Sequence, residues 1–174
     1  MQKEHHTSPS LPSDGPASCP PGQAAAALMS EAHGLLYPAD DIYLDEWQAR
    51  GERIHRLATS LWQAGEAAEP QAEAERLLAL LMAKAAIPLF GPYDSRRLAT
   101  LSRQCIRRMP VTLLTVRLRL YLYGETYEEC LYEEAHRWLQ ERRQTTGTLT
   151  VEEQELYDTL ELLREEAEED MLSE

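Results

Sequence analysis

The side chains here with the widest chemical range are His33, His55 and His136, three cysteines, and two places where a glutamate stands near an imidazole. A carboxylate beside a histidine can orient it as a proton carrier, and two such pairs on facing helices can cradle a pair of metal ions. Glu133 and His136 are three residues apart and would share a helix face, whereas Glu31 and His33 are two apart and would not. A metal-binding bundle also needs inward carboxylates on its other helices. His136 therefore reads as a surface residue, paired with Glu133 or packed beside Trp138. His5 and His6 stand in a loose leader, where a histidine pair is usually incidental. Cys19, Cys105 and Cys130 form no CxxC pair and no metal-ligand spacing, which fits a reduced, cytoplasmic chain. Cys105 and Cys130 read as small core residues. A nucleophilic thiol needs a lowered pKa, and only Cys105, with Arg108 three residues on, has a feature pointing that way. There is no P-loop, GxGxxG, HExxH or GxSxG. We expect no enzyme, no cofactor and no metal.

The elements that would position these groups read as helices throughout, and the fold class expected is an all-α, single-domain bundle of about six to seven helices. Residues 1–22 hold Pro9, Pro12, Pro16, Pro20 and Pro21 among serines and histidines, a composition that cannot offset its ordering entropy, so a disordered tail is expected. A helical domain is expected over 23–168 and an acidic tail over 169–174, because the last helix turns almost wholly acidic from Glu165 and should fray. Gln23 to Leu36 is alanine-rich and helix-prone. Ile42 to Ala64, with Asp41 as its cap, carries Leu44, Trp47, Gly51, Ile54, Ala58 and Leu61 at alternating spacings of three and four. Gly51 inside that stripe suggests a close helix crossing. Glu69 to Ile87 is apolar over most of its circumference and reads as the central buried helix. Leu89, Phe90 and Tyr93 flank two breakers and read as a lid on the core, set against the alternative of an exposed contact patch. Asp94 or Ser95 should cap the next helix. Pro110 suits a first helical position and Gly124 a left-handed C-terminal cap, giving a helical pair from Pro110 to Gln144. Val116 to Leu122 alternates like a strand. Leu114, Leu118, Tyr121 and Leu122 also fit a helix, and no other segment could pair with a lone strand. Thr150 with Glu153 is a capping box for the final helix.

The chain carries a net charge of −13, unevenly placed: residues 93–119 hold seven arginines against Asp94 alone, and residues 125–174 hold seventeen acids against four arginines. Long-range repulsion argues against direct nucleic-acid binding. The arginine belt reads either as a solvated face answering the acidic last helix or as a docking face for an acidic partner. No apolar run is long enough to cross a membrane.

Several fragments occur together and in order: Leu77-Leu78-Ala79-Leu80-Leu81-Met82, the loop before Tyr93-Asp94, and Met109-Pro110 followed by Leu113-Leu114. After them come Leu122-Tyr123-Gly124-Glu125, Glu134-Ala135-His136 and Leu149-Thr150-Val151-Glu152-Glu153-Gln154-Glu155. Over residues 24–165 this set resembles the UpxZ family, regulators of capsular polysaccharide operons. The proline-rich leader, the arginine load and the purely acidic end depart from the family pattern. The resemblance implies a partner and no reaction: UpxZ-like proteins are implied to block the NusG-like UpxY antiterminators of non-cognate operons, so that one capsule is made at a time. Tyr121, Tyr123, Tyr127 and Tyr132 stand beside charges, a composition suited to interfaces. On that basis Tyr121, Tyr123, Glu125, Tyr127, Arg117 and Arg119 are the expected contact residues, set against the simpler reading that the tyrosines pack inward. The other functional class is a generic acidic helical adaptor, or antitoxin-like protein, gripping a basic partner through its last helix.

Overall fold

The structure, a computed structural model, describes residues 20–88 and 93–172. The described residues form seven α-helices: α1 Pro21–Leu36, α2 Leu44–Gln63, α3 Pro70–Ala86, α4 Ser95–Arg108, α5 Leu113–Thr126, α6 Glu129–Thr146 and α7 Val151–Leu172. The leader up to residue 19, with His5, His6 and Cys19, lies outside the described residues, as do Leu89 and Phe90. Tyr93, which is described, is buried as a lid residue should be.

Two helices organise the bundle. α3 packs against α1, α2, α4 and α5. Its residues Leu77 to Ala83 are all buried, as a helix apolar on every side requires. Arg76 is buried as well, and its guanidinium meets Glu73 at 2.8 and 2.9 Å, so the charge enters the core with its counter-ion. α5 is the second hub, packed against α3, α4, α6 and α7. That explains the strand-like pattern: with neighbours on several sides, Val116, Leu118, Leu120, Tyr121, Leu122 and Tyr123 are all buried in a helix.

Several local expectations are corrected. α5 starts at Leu113, not Pro110, because Thr112 and Thr115 form a reciprocal capping box there. It does not end at Gly124 but runs to Thr126, and Tyr127 takes the left-handed cap at φ 52°. Gly124 faces Leu163 of α7, where an added Cβ would sit 3.4 Å from a leucine methyl. Tyr43, not Asp41, stands at the N-terminus of α2, with no side-chain cap. Gly51 is at no close crossing, since a Cβ there would find only Ile87, at 3.9 Å. Cys130 is exposed, because α6 buries Leu131, Ala135 and Leu139 instead. α7 continues as helix to Leu172, past the acid run where fraying was expected. Asp94 caps α4 by accepting from the backbone N–H of Arg96 and Arg97, and the Thr150–Glu153 capping box is formed at 2.9 and 3.2 Å.

Candidate functional site

Of the six residues expected to contact a partner, Tyr121, Tyr123 and Arg119 are buried, and Arg117 and Glu125 are half-buried in ion pairs. Tyr123 is 1% exposed. Its ring meets Tyr127 edge-on at 5.9 Å and Tyr132 at 5.7 Å. Tyr132 stacks on His136 at 5.3 Å, His136 meets Tyr157 at 5.7 Å, and Arg164 lies 5.0 Å over the Tyr132 ring. The dense tyrosines are thus a seam that joins α5, α6 and α7. Burial, then the hydrogen bond to Glu161, pushes the Tyr132 phenol up to about 12.

Tyr121 is buried against α1 and α7: its hydroxyl is 3.1 Å from that of Tyr37, which lies 3.0 Å from the Thr159 hydroxyl. Burial first, and the Tyr37 hydroxyl second, raise its pKa far above the ordinary phenol value, so it stays neutral. Arg119 is buried, donates to Glu134 at 2.6 Å and to the Thr115 carbonyl at 3.0 Å, and so ties α5 to α6. Arg117 reaches Glu152 of α7 at 3.5 Å, and Glu125 pairs with Lys84 of α3. Tyr127 alone of the six is exposed, at 46%.

The α4 arginines of the belt do not answer the acidic last helix, whereas Arg117 on α5 does. α4 packs on α3 and α5 and not on α7. Arg103 pairs with Glu128 ahead of α6, and that contact holds the Glu128 carboxyl below the usual carboxylate range. Arg97 lies 5.8 Å over the Trp62 ring. Among the described residues, Arg96, Arg107 and Arg108 make no ion pair. The acids of α7 are met from α5 by Arg117, from α6 by Arg142 and within α7 by Arg164.

Nothing in the described residues assembles reactive groups. No cluster of three or more His, Cys, Asp or Glu there could hold a metal ion. His136 lies 3.5 Å from Glu161 on α7, not against Glu133. His33 meets Glu155 at 2.9 Å, bridging α1 to α7. Burial raises the Cys105 thiol, and Glu73 adds to that more than Arg108 opposes it, the reverse of what a nucleophile needs.

The surface that stands out is one that sequence reasoning assigned to the core. The apolar stripe of α2 is covered only in its second half, at Ile54, Ala58 and Leu61. Tyr43 is 77% exposed, Leu44 71% and Trp47 43%. Leu44, Trp47 and Gly51 lie on one face of the helix, and Trp47 and Gly51 line an open concavity of about 690 Å³ with His55 and Ile87. Its sequence signal was present, since the regular stripe marks apolar positions. Periodicity does not say whether a neighbour covers them.

The sequence profile of the UpxZ family of transcription anti-terminator antagonists matches residues 25–124. Among solved structures, the chain is similar to the transcription anti-terminator antagonist UpxZ from Bacteroides uniformis ATCC 8492, with 28% identity and a TM-score of 0.71 over 84% of this chain and 94% of that one. No curated protein matches the chain. No helix of the described residues is long and apolar enough to cross a membrane.

Proposed function

The chain belongs to the UpxZ family of transcription anti-terminator antagonists, and from that premise we propose that it inhibits non-cognate UpxY proteins, the NusG-like antiterminators of capsular polysaccharide operons, by direct protein contact in the cytoplasm. The observation that carries this reading is the likeness to the Bacteroides uniformis antagonist, which takes in 94% of that chain. The contact requires no reaction: an apolar helical surface occupies the groove through which a NusG-like domain grips its own helical target. Discrimination among closely related antiterminators then comes from attractive contacts to the blocked set and clashes with the spared one.

The test is a pull-down of the purified protein against a panel of UpxY-type proteins, with NusG as control, followed by transcription read-through with each retained antiterminator. Retention of some panel members but not NusG, with loss of read-through, is expected. Retention of none, or of NusG equally, refutes the reading. Neutralising Glu165, Glu166 and Glu168 to glutamine should leave retention unchanged. Loss of retention in that variant would instead favour the acidic-adaptor reading.

A further inference from the structure

We propose that the N-terminal face of α2, formed by Tyr43, Leu44 and Trp47 beside the concavity at Gly51 and Ile87, is a docking surface for a basic protein element: an apolar strip flanked by Lys and Arg. The inference rests on the antagonist reading and names the chemistry that the partner must present.

The stripe itself is the first ground. Leu44, Trp47 and Gly51 continue the face that buries Ile54, Ala58 and Leu61, yet α1 and α3, the helices that pack on α2, leave its first two turns uncovered. Aromatic anchors beside a concavity are the composition of interface hot spots. The rim is the second ground. Asp40, Asp41, Asp45, Glu46 and Glu52 are all exposed around this end of α2. Two of the nearby cations are occupied: Arg53 pairs with Glu31 at 3.1 Å, and Arg50 lies between Glu31 and Glu46 at 3.9 and 3.7 Å. Arg56 lines the concavity itself, one cation against the five exposed acids.

Charge then selects the occupant. A second copy would bring two acidic rims together and add a second charge of −13. An anionic bilayer is repelled by the same rim. A basic flank is drawn in by the whole-chain charge and set in register by the rim, while the apolar strip covers Leu44 and Trp47.

The test titrates the full chain with a labelled amphipathic peptide of leucine and lysine, about 18 residues or five helical turns long, read by fluorescence anisotropy. The same peptide with glutamate in place of lysine is the control. The leucine–lysine peptide should bind, and more weakly as salt rises. The double variant Leu44→Ser, Trp47→Ala should weaken it by about tenfold or more, while Tyr127→Ala does not. Both α2 residues are exposed, so circular dichroism should show an unchanged fold. Absence of binding, equal binding by the double variant, or equal binding of the glutamate peptide overturns the proposal. So does a dimer in solution that the double variant dissociates. The same two proteins are run against the antiterminator panel. Retention by both overturns the docking surface and leaves the antagonist reading standing. Retention by neither, with the peptide still telling them apart, supports the surface and removes the antagonist reading.

Discussion

Tyr123 and Tyr127 are four residues apart and opposite in consequence. Tyr123 is sealed among α5, α6 and α7 with only 1% of its surface exposed. Truncating a buried aromatic ring to alanine removes its transfer energy and leaves a cavity, a cost of about 3–5 kcal/mol. The edge contact to Tyr127 and the tilted contact to Tyr132 lie within that figure, each worth about 0.5–1.5 kcal/mol beyond area. In a domain of this size each kcal/mol moves the melting point by about 2–4 °C, so Tyr123→Ala should lower it by about 6–20 °C. Tyr127 is exposed and sits at φ 52°, where a β-carbon costs about 1–2 kcal/mol. Tyr127→Gly relieves that strain and gives up, among its contacts, the ring contact to Tyr123, so its stability should stay within about 1 kcal/mol of the parent. Urea unfolding followed by circular dichroism at constant m-value measures both. Tyr123→Phe keeps the ring and should recover most of the loss. The reasoning fails if Tyr123→Ala is as stable as Tyr127→Gly, because the seam would then not be a packed core. Any loss of partner binding in Tyr123→Ala would reflect unfolding, not a lost contact.

Acid sensitivity is expected from Glu153, whose carboxyl is held low first by the Thr150 N–H and then by Arg142. A depressed folded value means that its stabilisation is complete above the ordinary glutamate pKa of about 4.3 and is lost as pH falls from there through the folded value. Glu153→Gln should flatten that limb in pH-dependent melting, and a limb of unchanged slope would refute the assignment. Thr150→Ala removes the other half of the capping box and should cost about 1 kcal/mol in urea unfolding. Gly147→Ala forces a β-carbon to φ 81° and should destabilise by about 1 kcal/mol. Gly124→Ala, in the last turn of α5 with only the flexible Leu163 methyls nearby, should be neutral or stabilising by up to about 1 kcal/mol. Thermal melts of the two glycine variants decide between these signs.

The amino-acid order by itself determined the helical class, the central place of α3 and the capping chemistry of α4 and α7, because these depend on contacts within a turn or two or on residues apolar all round. It marked the tyrosines around α5 and the stripe along α2 but not their surroundings. Tyr121, Tyr123 and Arg119 face α1, α6 and α7, so residues with the composition of an interface became a seam. Leu44 and Trp47 meet no covering helix, so residues patterned as core became surface. Periodicity records which side of a helix is apolar, and the order of residues in a turn records how the helix begins. Only the packing of distant helices decides whether that apolar side meets protein or water. At α5 it took the inward-packing reading of Tyr121 and Tyr123, at the start of α2 it decided against the expectation, and the candidate interface lies where the packing stops.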